Sequence, residues 1–261
     1  MIELKTKADA KDRTPYVVVC LQECERMNIL TNTIKSTLID LDRGLKGELN
    51  ITDDMDMLAD KMFLNQVPAI WVKYAYDSKK PLPAWFADLL LRIEQLNEYS
   101  EEMVPPVSLW ISGLFNPMSY LTSIMQVTAR RDSLALDDMT LKTTVTNVTN
   151  KDELTEHAEN GAYVHGFYLQ GAAWELGRGS EQGNLVDMAP KILMPEMPVV
   201  HVTAINRRDQ VNEGFYDCPV YTTTMRGATY VFLAKLKMES DEFDAKLWVL
   251  AGVAMFMQLD D

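Results

Sequence analysis

Apolar positions in the first half of the chain recur at steps of three and four, and in the second half at steps of two. Asp12-Arg13-Thr14-Pro15 marks a helix entry. A threonine side chain accepts from the first free backbone N–H groups, and proline at the first helical position gives up no useful donor. Behind it Cys20, Cys24, Met27, Thr31, Ile34, Leu38, Leu41 and Leu45 draw one stripe down a long helix, which Gly44 and Gly47 are placed to end. Thr52-Asp53-Asp54 opens a second helix, with acidic residues at the positive end of its dipole, apolar positions at Met55, Leu58 and Met62, and Pro68 as its stop. Pro81 and Pro83 bracket the next turn. A third amphipathic stretch follows with Trp85, Leu89, Ile93 and Leu96, and Pro105-Pro106 interrupts the sequence after it. Asn116 and Pro117 then repeat the cap-and-proline start. Leu121, Ile124 and Thr128 share a face with Tyr120 and Val127 beside them, and Arg130 and Arg131 fall in the last turn, where cations complement the negative helix end.

From about Asp138 the spacing changes. Leu141, Thr143 and Val145 alternate with polar residues, as do Tyr163, His165, Phe167 and Leu169, which is the pattern of half-buried strands. Pro198–Ile205, Val220–Thr224 and Tyr230–Leu236 are β-rich, and Trp248–Leu259 is a long apolar run. Turn-rich pieces at Gly177–Gly183, Asn206–Gly214 and Met238–Ala245 separate them. Five or more strands without regular intervening helices predict an antiparallel sheet curling into a small barrel or sandwich. The expected fold class is therefore α+β: a helical subdomain over 14–137, then a β-rich subdomain over 138–261. Glycines 161, 166 and 171 recur every five residues, and sharp bends with close backbone approach explain them better than a ligand cradle.

Composition narrows the function. A protein of 261 residues with 47% apolar and 24% charged residues has enough material for a sizeable core. Its net charge of −13 opposes nucleic-acid backbones, acidic lipid surfaces and acidic protein lattices. The densest cationic pieces are only Lys79-Lys80, Arg130-Arg131 and Arg207-Arg208, so no nucleic-acid partner is expected. No apolar window approaches the ~18 residues of a membrane span, and no membrane partner is expected. Met1-Ile2-Glu3-Leu4-Lys5 lacks the apolar core of a signal peptide. Cys20, Cys24 and Cys218 form an odd set without metal or disulfide spacing, which fits a reducing, cytoplasmic setting.

Searches for chemistry return nothing. The sequence has no G-x-x-x-x-G-K-S/T loop to cradle a phosphate, no G-x-S-x-G elbow and no H-E-x-x-H pair. The glycine-rich turn Gly177–Gly183 has the wrong spacing for a dinucleotide site and no clear helix behind it. His157, His165 and His201 lie far apart in the sequence, and Asp53-Asp54-Met55-Asp56 lacks the glycine and glutamate of a calcium loop. Cys20 lies on the apolar stripe of the first helix, which favours burial over nucleophilic use. No catalytic, cofactor-binding or metal-binding residue is assigned.

Several segments, in order, resemble the C-terminal region of dynein heavy chains: "ECERMNILTNTIKSTLIDLDRGLKGELNITDDMDML", "NQVPAIW", "SGLFNPMSYLTSIMQVTAR", "GAYVHGFYLQGAAWE", "MPVV" and "YDCPVYTTTMRGATYV". The resemblance runs from about Thr14 to Leu259, and "SGLFNP" and "RGATYV" look more like axonemal, particularly outer-arm, dyneins than cytoplasmic ones. It implies a piece of a longer polypeptide, with residues 1–13 ending the connection from the last AAA+ module. It also implies a non-catalytic region with no cofactor of its own, packed across the AAA+ ring of the same heavy chain and tuning an ATP-hydrolysing motor. Contact with the microtubule would be indirect, and the setting a ciliary or flagellar axoneme. Gln170 stands where glutamate is common in the family, Ala173 where arginine is common and Thr222 where lysine is common, so charged contacts through those positions are not carried over. The interface candidates on this reading are Trp71, Trp85, Phe115, Arg130 and Arg131. The alternatives are a free-standing module that binds a peptide or light chain through its β half, and an enzyme using the Gly177–Gly183 turn for a phosphate.

Overall fold

A computed structural model describes residues 13–179, 181–188, 191, 194–239 and 245–259. Apart from Arg13, the expected connecting segment 1–13 lies outside these residues, as do parts of the turns at 177–183 and 238–245. The helices are α1 (Pro15–Leu45), α2 (Asp53–Phe63), α3 (Ala69–Val72) and α4 (Leu82–Glu102); after strand β1 (Ser108–Trp110) comes α5 (Pro117–Asp132). Strands then dominate: β2 (Met139–Val145), β3 (Ala162–His165), β4 (Tyr168–Gln170), β5 (Ala173–Glu175), β6 (Asn184–Val186), β7 (Val200–Asn206), β8 (Phe215–Tyr221) and β9 (Tyr230–Lys237). Helix α6 (Ala245–Leu250) and β10 (Ala254–Phe256) complete the order. The helix-then-strand order and the α+β class hold, with the change of character between Asp132 and Met139.

The caps are those the residues prescribe. Thr14, Thr52 and Asn116 each accept from a backbone N–H three residues on, and Pro15 and Pro117 fill first-turn positions. On α1 the buried stripe runs through Cys20, Cys24, Met27, Ile34 and Leu41, while Leu45 projects into solvent where the helix leaves the core. Helix α2 stops at Phe63, short of Pro68, because Asn65 turns the backbone with a φ of 55°; Pro68 instead precedes α3.

The β half departs from a simple antiparallel barrel. One sheet has the order β1-β3-β7-β2, a second β4-β10-β8-β9, and β5 pairs with β6 alone. Most ladders are antiparallel, but β1 runs parallel to β3 and β10 parallel to β8. Strand β1 therefore carries the helical half into the first sheet. Strand β10 lies centrally in the second and is buried at all three residues, so its sequence reads as a continuous apolar run, not an alternation. The expected single strand through Tyr163, His165, Phe167 and Leu169 breaks at Gly166, whose φ is +86° and where a Cβ would strike the Trp110 ring. Val164 is buried on β3 and Leu169 on β4, so the break changes which parity faces inward and sends the two pieces to different sheets. Gly161, just ahead of β3, has a φ of +75° and presses against the Val202 backbone. Bending and close approach are thus the roles of these glycines. The two sheets meet at their edges without closing: the Thr143 hydroxyl of β2 accepts from Lys235 N at 2.8 Å and donates to Lys235 O at 3.2 Å on β9.

Helix α5 packs against α1 on one side and β7 and β2 on the other. Its entry is fixed by Glu23, a buried carboxylate of α1 that accepts from Phe115 N and, at 3.0 Å, from Asn116 N. Burial raises the Glu23 carboxyl above the ordinary glutamate value, and the two N–H donors lower it only in part. A raised value means that its contribution is full at low pH and is lost as pH rises from about 4.5 through the elevated pKa. Glu23→Gln, which sets an amide NH2 against one of the two N–H donors where the protonated carboxyl still offers its hydroxyl oxygen, is expected to cost about 1–3 kcal/mol in urea unfolding near the bottom of that window. The gap between the two proteins should narrow as pH rises across it.

Candidate interaction surface

Two of the five interface candidates are interior. Trp71 and Trp85 are buried and stack with centroids 6.3 Å apart, with the edge of Phe86 against both. Tyr76 stacks on Trp85 and meets Phe115 edge-on at 5.9 Å. This aromatic cluster closes over Arg92, whose guanidinium lies 3.5 Å from the Tyr76 ring centre and pairs through Nε with Asp88 at 2.7 Å. Burial pushes the Asp88 carboxyl up, but Arg92 and Lys80 together draw it below the usual carboxylate value. Trp71 and Trp85 consequently have almost no surface to offer a partner: the Trp71 ring N–H donates to the Thr37 hydroxyl of α1 at 2.9 Å, and Trp85 stacks on Tyr76, the ring that lies on Arg92. Phe115 is half-buried at the rim. Arg130 and Arg131 are exposed, well apart from the tryptophans in sequence and on a different helix, so the candidates do not form one patch.

The histidines are hydrogen-bonded within the fold and the cysteines are buried. His157 Nε2 lies 2.9 Å from Pro105 O, His201 Nε2 2.7 Å from Asn160 O, and His165 Nδ1 2.9 Å from Ser108 Oγ. Burial lowers His165 to about 4, so it is neutral at ordinary pH. Cys20, Cys24 and Cys218 are buried free thiols. Gly177–Gly183 lies between paired strands β5 and β6, and its Gly177 N–H is already donated to Asn147 Oδ1 while Asn147 Nδ2 holds the carbonyls of Gly179 and Glu181. Among the described residues no group of three or more His, Cys, Asp or Glu is placed to hold a metal, and no helix is long and apolar enough to cross a membrane.

What the structure does leave open is an apolar face on α2 and α3. Phe63 is 87% exposed, and Met57, Leu64, Ile70 and Val72 are exposed beside it. Between the two helices lies a groove of about 550 Å³ lined by Met57, Leu58, Leu64, Pro68, Ala69 and Ile70, with Asp54, Asp60 and Lys61 at its rim. On α2 Leu58 is buried and Met55, Ala59 and Met62 pack partly against the core, while Met57 and Phe63 are turned outward. Contiguous apolar surface rimmed by charge marks an interaction site. The signal in the sequence is Met57, Phe63 and Leu64, a second apolar set beside the core-facing Met55, Leu58 and Met62; a helix apolar on two faces has one for its own core and one for something else.

Comparison with known proteins supplies the context. A sequence profile for the C-terminal domain of the dynein heavy chain matches residues 1–257. The protein belongs to that family. It is 46% identical over 259 residues to the ciliary dynein beta chain of Tripneustes gratilla, a match spanning 99% of this sequence and 6% of that one. Human dynein axonemal heavy chain 17 is 43% identical over 252 residues, 97% of this sequence and 6% of the relative. The beta chain of the Chlamydomonas reinhardtii flagellar outer arm is 40% identical over 262 residues, 99% and 6%. The expected axonemal type is thus the type of these relatives, of whose length the present sequence spans about 6%. In this dynein C-terminal domain Gln170, where glutamate was expected, accepts from Arg226 Nη2 at 2.7 Å, and the same atom also donates to Gly252 O. The hydrogen bond is kept without a charge partner.

Interior and exterior aromatics should separate cleanly by mutation. Trp85→Ala is expected to cost about 3–5 kcal/mol, because it empties the stack over Arg92. Phe63→Ser should change stability by no more than about 0.5 kcal/mol. Denaturant unfolding of the two variants checks both, and a large loss on Phe63→Ser would mean that this side chain supports the fold itself.

Proposed function

We propose that this protein is the non-catalytic C-terminal region of an axonemal dynein heavy chain, packed across the AAA+ ring and modulating the microtubule motor that drives ciliary and flagellar beating. The observation that carries the reading is the exposed α2–α3 face in a member of this family: an apolar groove with no occupant among its own described residues. Supporting it, the buried Glu23 and the Arg92–Asp88 pair, with Gln95, serve internal ties of the fold. Through α2 and α3 the ring would gain a brace whose position is fixed by α1 and, through α5, by the sheets.

The decisive experiment is made on the heavy chain that carries this region, comparing the full motor with one lacking it and one with Met57→Asp, Phe63→Asp and Leu64→Asp. The expected outcome is retained ATP turnover with altered speed, force or run length in both. Unchanged speed, force, run length and turnover would make the region passive packing. Complete loss of turnover in a properly folded truncated ring would make it part of the catalytic apparatus.

A phosphate-handling role for the Gly177–Gly183 turn predicts nucleotide-dependent stabilisation, about 2.7 kcal/mol at a hundred times the dissociation constant. We expect none, and no heat of binding when ATP is titrated into the protein. Micromolar binding abolished by substituting Gly179 would reverse that expectation.

One observation favours a second reading, in which the β half adds a peptide strand. Strand β9 is a sheet edge with Tyr230 and Leu233 exposed, beside a groove of about 430 Å³ that includes Met118, Met125 and Leu141. The edge is blunted at Lys235, whose backbone N–H and C=O are both taken by Thr143. Leu233→Lys should abolish peptide capture if that reading is right and leave motor behaviour untouched.

A further inference from the structure

Arg130-Arg131-Asp132-Ser133-Leu134 ends α5, and from the residues and their setting we propose that Ser133 is a phosphorylation site for a serine kinase that reads basic residues. The arginines stand three and two residues before the serine and an apolar residue follows it. That order suits a substrate groove with carboxylates for the arginines and an apolar pocket beyond the acceptor, because guanidinium–carboxylate pairs give both charge and geometry.

The setting makes the segment available. Residues 130–138 are nine consecutive exposed positions joining the last helix of the helical half to β2. Ser133 is the C-cap, left-handed at φ 54°, and the helix end is held by its own N–H and that of Leu134, both donated to Ala129 O. Leu134 is itself 40% exposed. Unwinding one exposed terminal turn into a kinase groove breaks few contacts, and such ends open at low free-energy cost. In the transfer the Ser133 Oγ attacks the γ-phosphorus of ATP, the bond from that phosphorus to the β–γ bridging oxygen breaks, ADP departs, and the hydroxyl proton leaves to a base on the kinase.

The product has a defined local consequence. Arg131 pairs with Asp132 through Nε at 2.7 Å and also donates to the Asn160 side chain, while Asn160 O is held by His201 Nε2 of β7. A phosphate on Ser133 competes with both acceptors for Arg131, and as an anion at the C-terminal end of α5 it opposes the helix dipole. The modification thereby draws Arg131 off the turn ahead of β3 and loosens the last turn of α5.

The test uses the 261-residue protein, ATP and the catalytic subunit of a basophilic serine kinase of the cyclic-nucleotide-dependent type. Peptide sequencing by mass spectrometry should place one phosphate on Ser133, and Ser133→Ala should abolish it. Arg130→Ala and Arg131→Ala should each slow incorporation about tenfold, the effect of losing one charge-assisted contact in the kinase groove. Both arginines are exposed, and circular dichroism and thermal unfolding of the two variants check that the fold is unchanged. Hydrogen exchange at Asn160–Ala162 should quicken on phosphorylation. An unmodified Ser133, or incorporation there that ignores both arginines, overturns the site; unchanged exchange at 160–162 overturns its coupling to the sheet.

Discussion

One buried carboxylate sets the placement of nearly everything else. Glu23 sits in the middle of the α1 stripe and takes the backbone N–H groups of Phe115 and Asn116, the two residues that lead into α5. Those donors belong to a stretch that has no helical acceptor of its own, since the start of a helix leaves its first N–H groups unpaired. Asn116 caps α5 with its side chain while Glu23 holds its main chain, so the helix can begin only at one place and at one angle to α1. Because α5 also packs on β7 and β2, the same bond relates the helical half to the first sheet. An ionisable group is a costly choice for a core position, as its raised pKa records. What it gains over an apolar residue is two directed acceptors on one side chain.

A second tie works by similar logic. Gln95 of α4 donates to Trp110 O at 3.0 Å and accepts from Trp110 N at 2.7 Å, so the side-chain amide behaves as a neighbouring strand would toward β1. On its other edge β1 pairs with β3. Trp110 also contributes a face to Arg92, 5.2 Å from its ring centre, and its ring leaves no room for a side chain at Gly166. A three-residue strand is too short to hold a sheet by itself; here it is clamped between an amide on one side and a ladder on the other. Helix α4, β1 and the β3–β4 break are consequently one packed unit.

The helical half was legible because its signals are local. Thr14-Pro15, Thr52 and Asn116-Pro117 name their helix starts through a single side chain and its neighbours, and the stripe on α1 follows from spacing alone. The strand region was legible in kind but less in arrangement. Nothing within Tyr163–Leu169 announces that Gly166 will divide the segment between two sheets, since the reason is the Trp110 ring arriving from another part of the sequence. Likewise β10 shows no alternation because it is covered on both faces, and its parallel partner β8 is set by topology, not by either sequence. Trp71, Trp85 and Phe115 had the composition of an interface and proved to lie in or at the rim of the core, because they pack on one another and on Tyr76 and Phe86, contacts between segments that no local spacing announces. The open face of α2 and α3 was missed for the opposite reason: Met57, Phe63 and Leu64 look like core residues until the fold shows no core left to receive them.

Several buried polar side chains of this domain are bonded to its own backbone. Besides Glu23 and Gln95, Tyr99 donates to Tyr16 O, Tyr216 to Val253 O, Arg226 to Gly252 O and Asn147 to the β5–β6 turn, each joining segments distant in sequence. A catalytic site directs such groups at a space that a substrate enters, and holds them at some expense to stability. Groups directed at the main chain instead fix one segment against another and make relative motion costly. The same fold leaves an open apolar groove between α2 and α3, which pack on α1. On the function proposed above, a body tied together inside and open to apolar contact on α2 and α3 would be suited to carrying load.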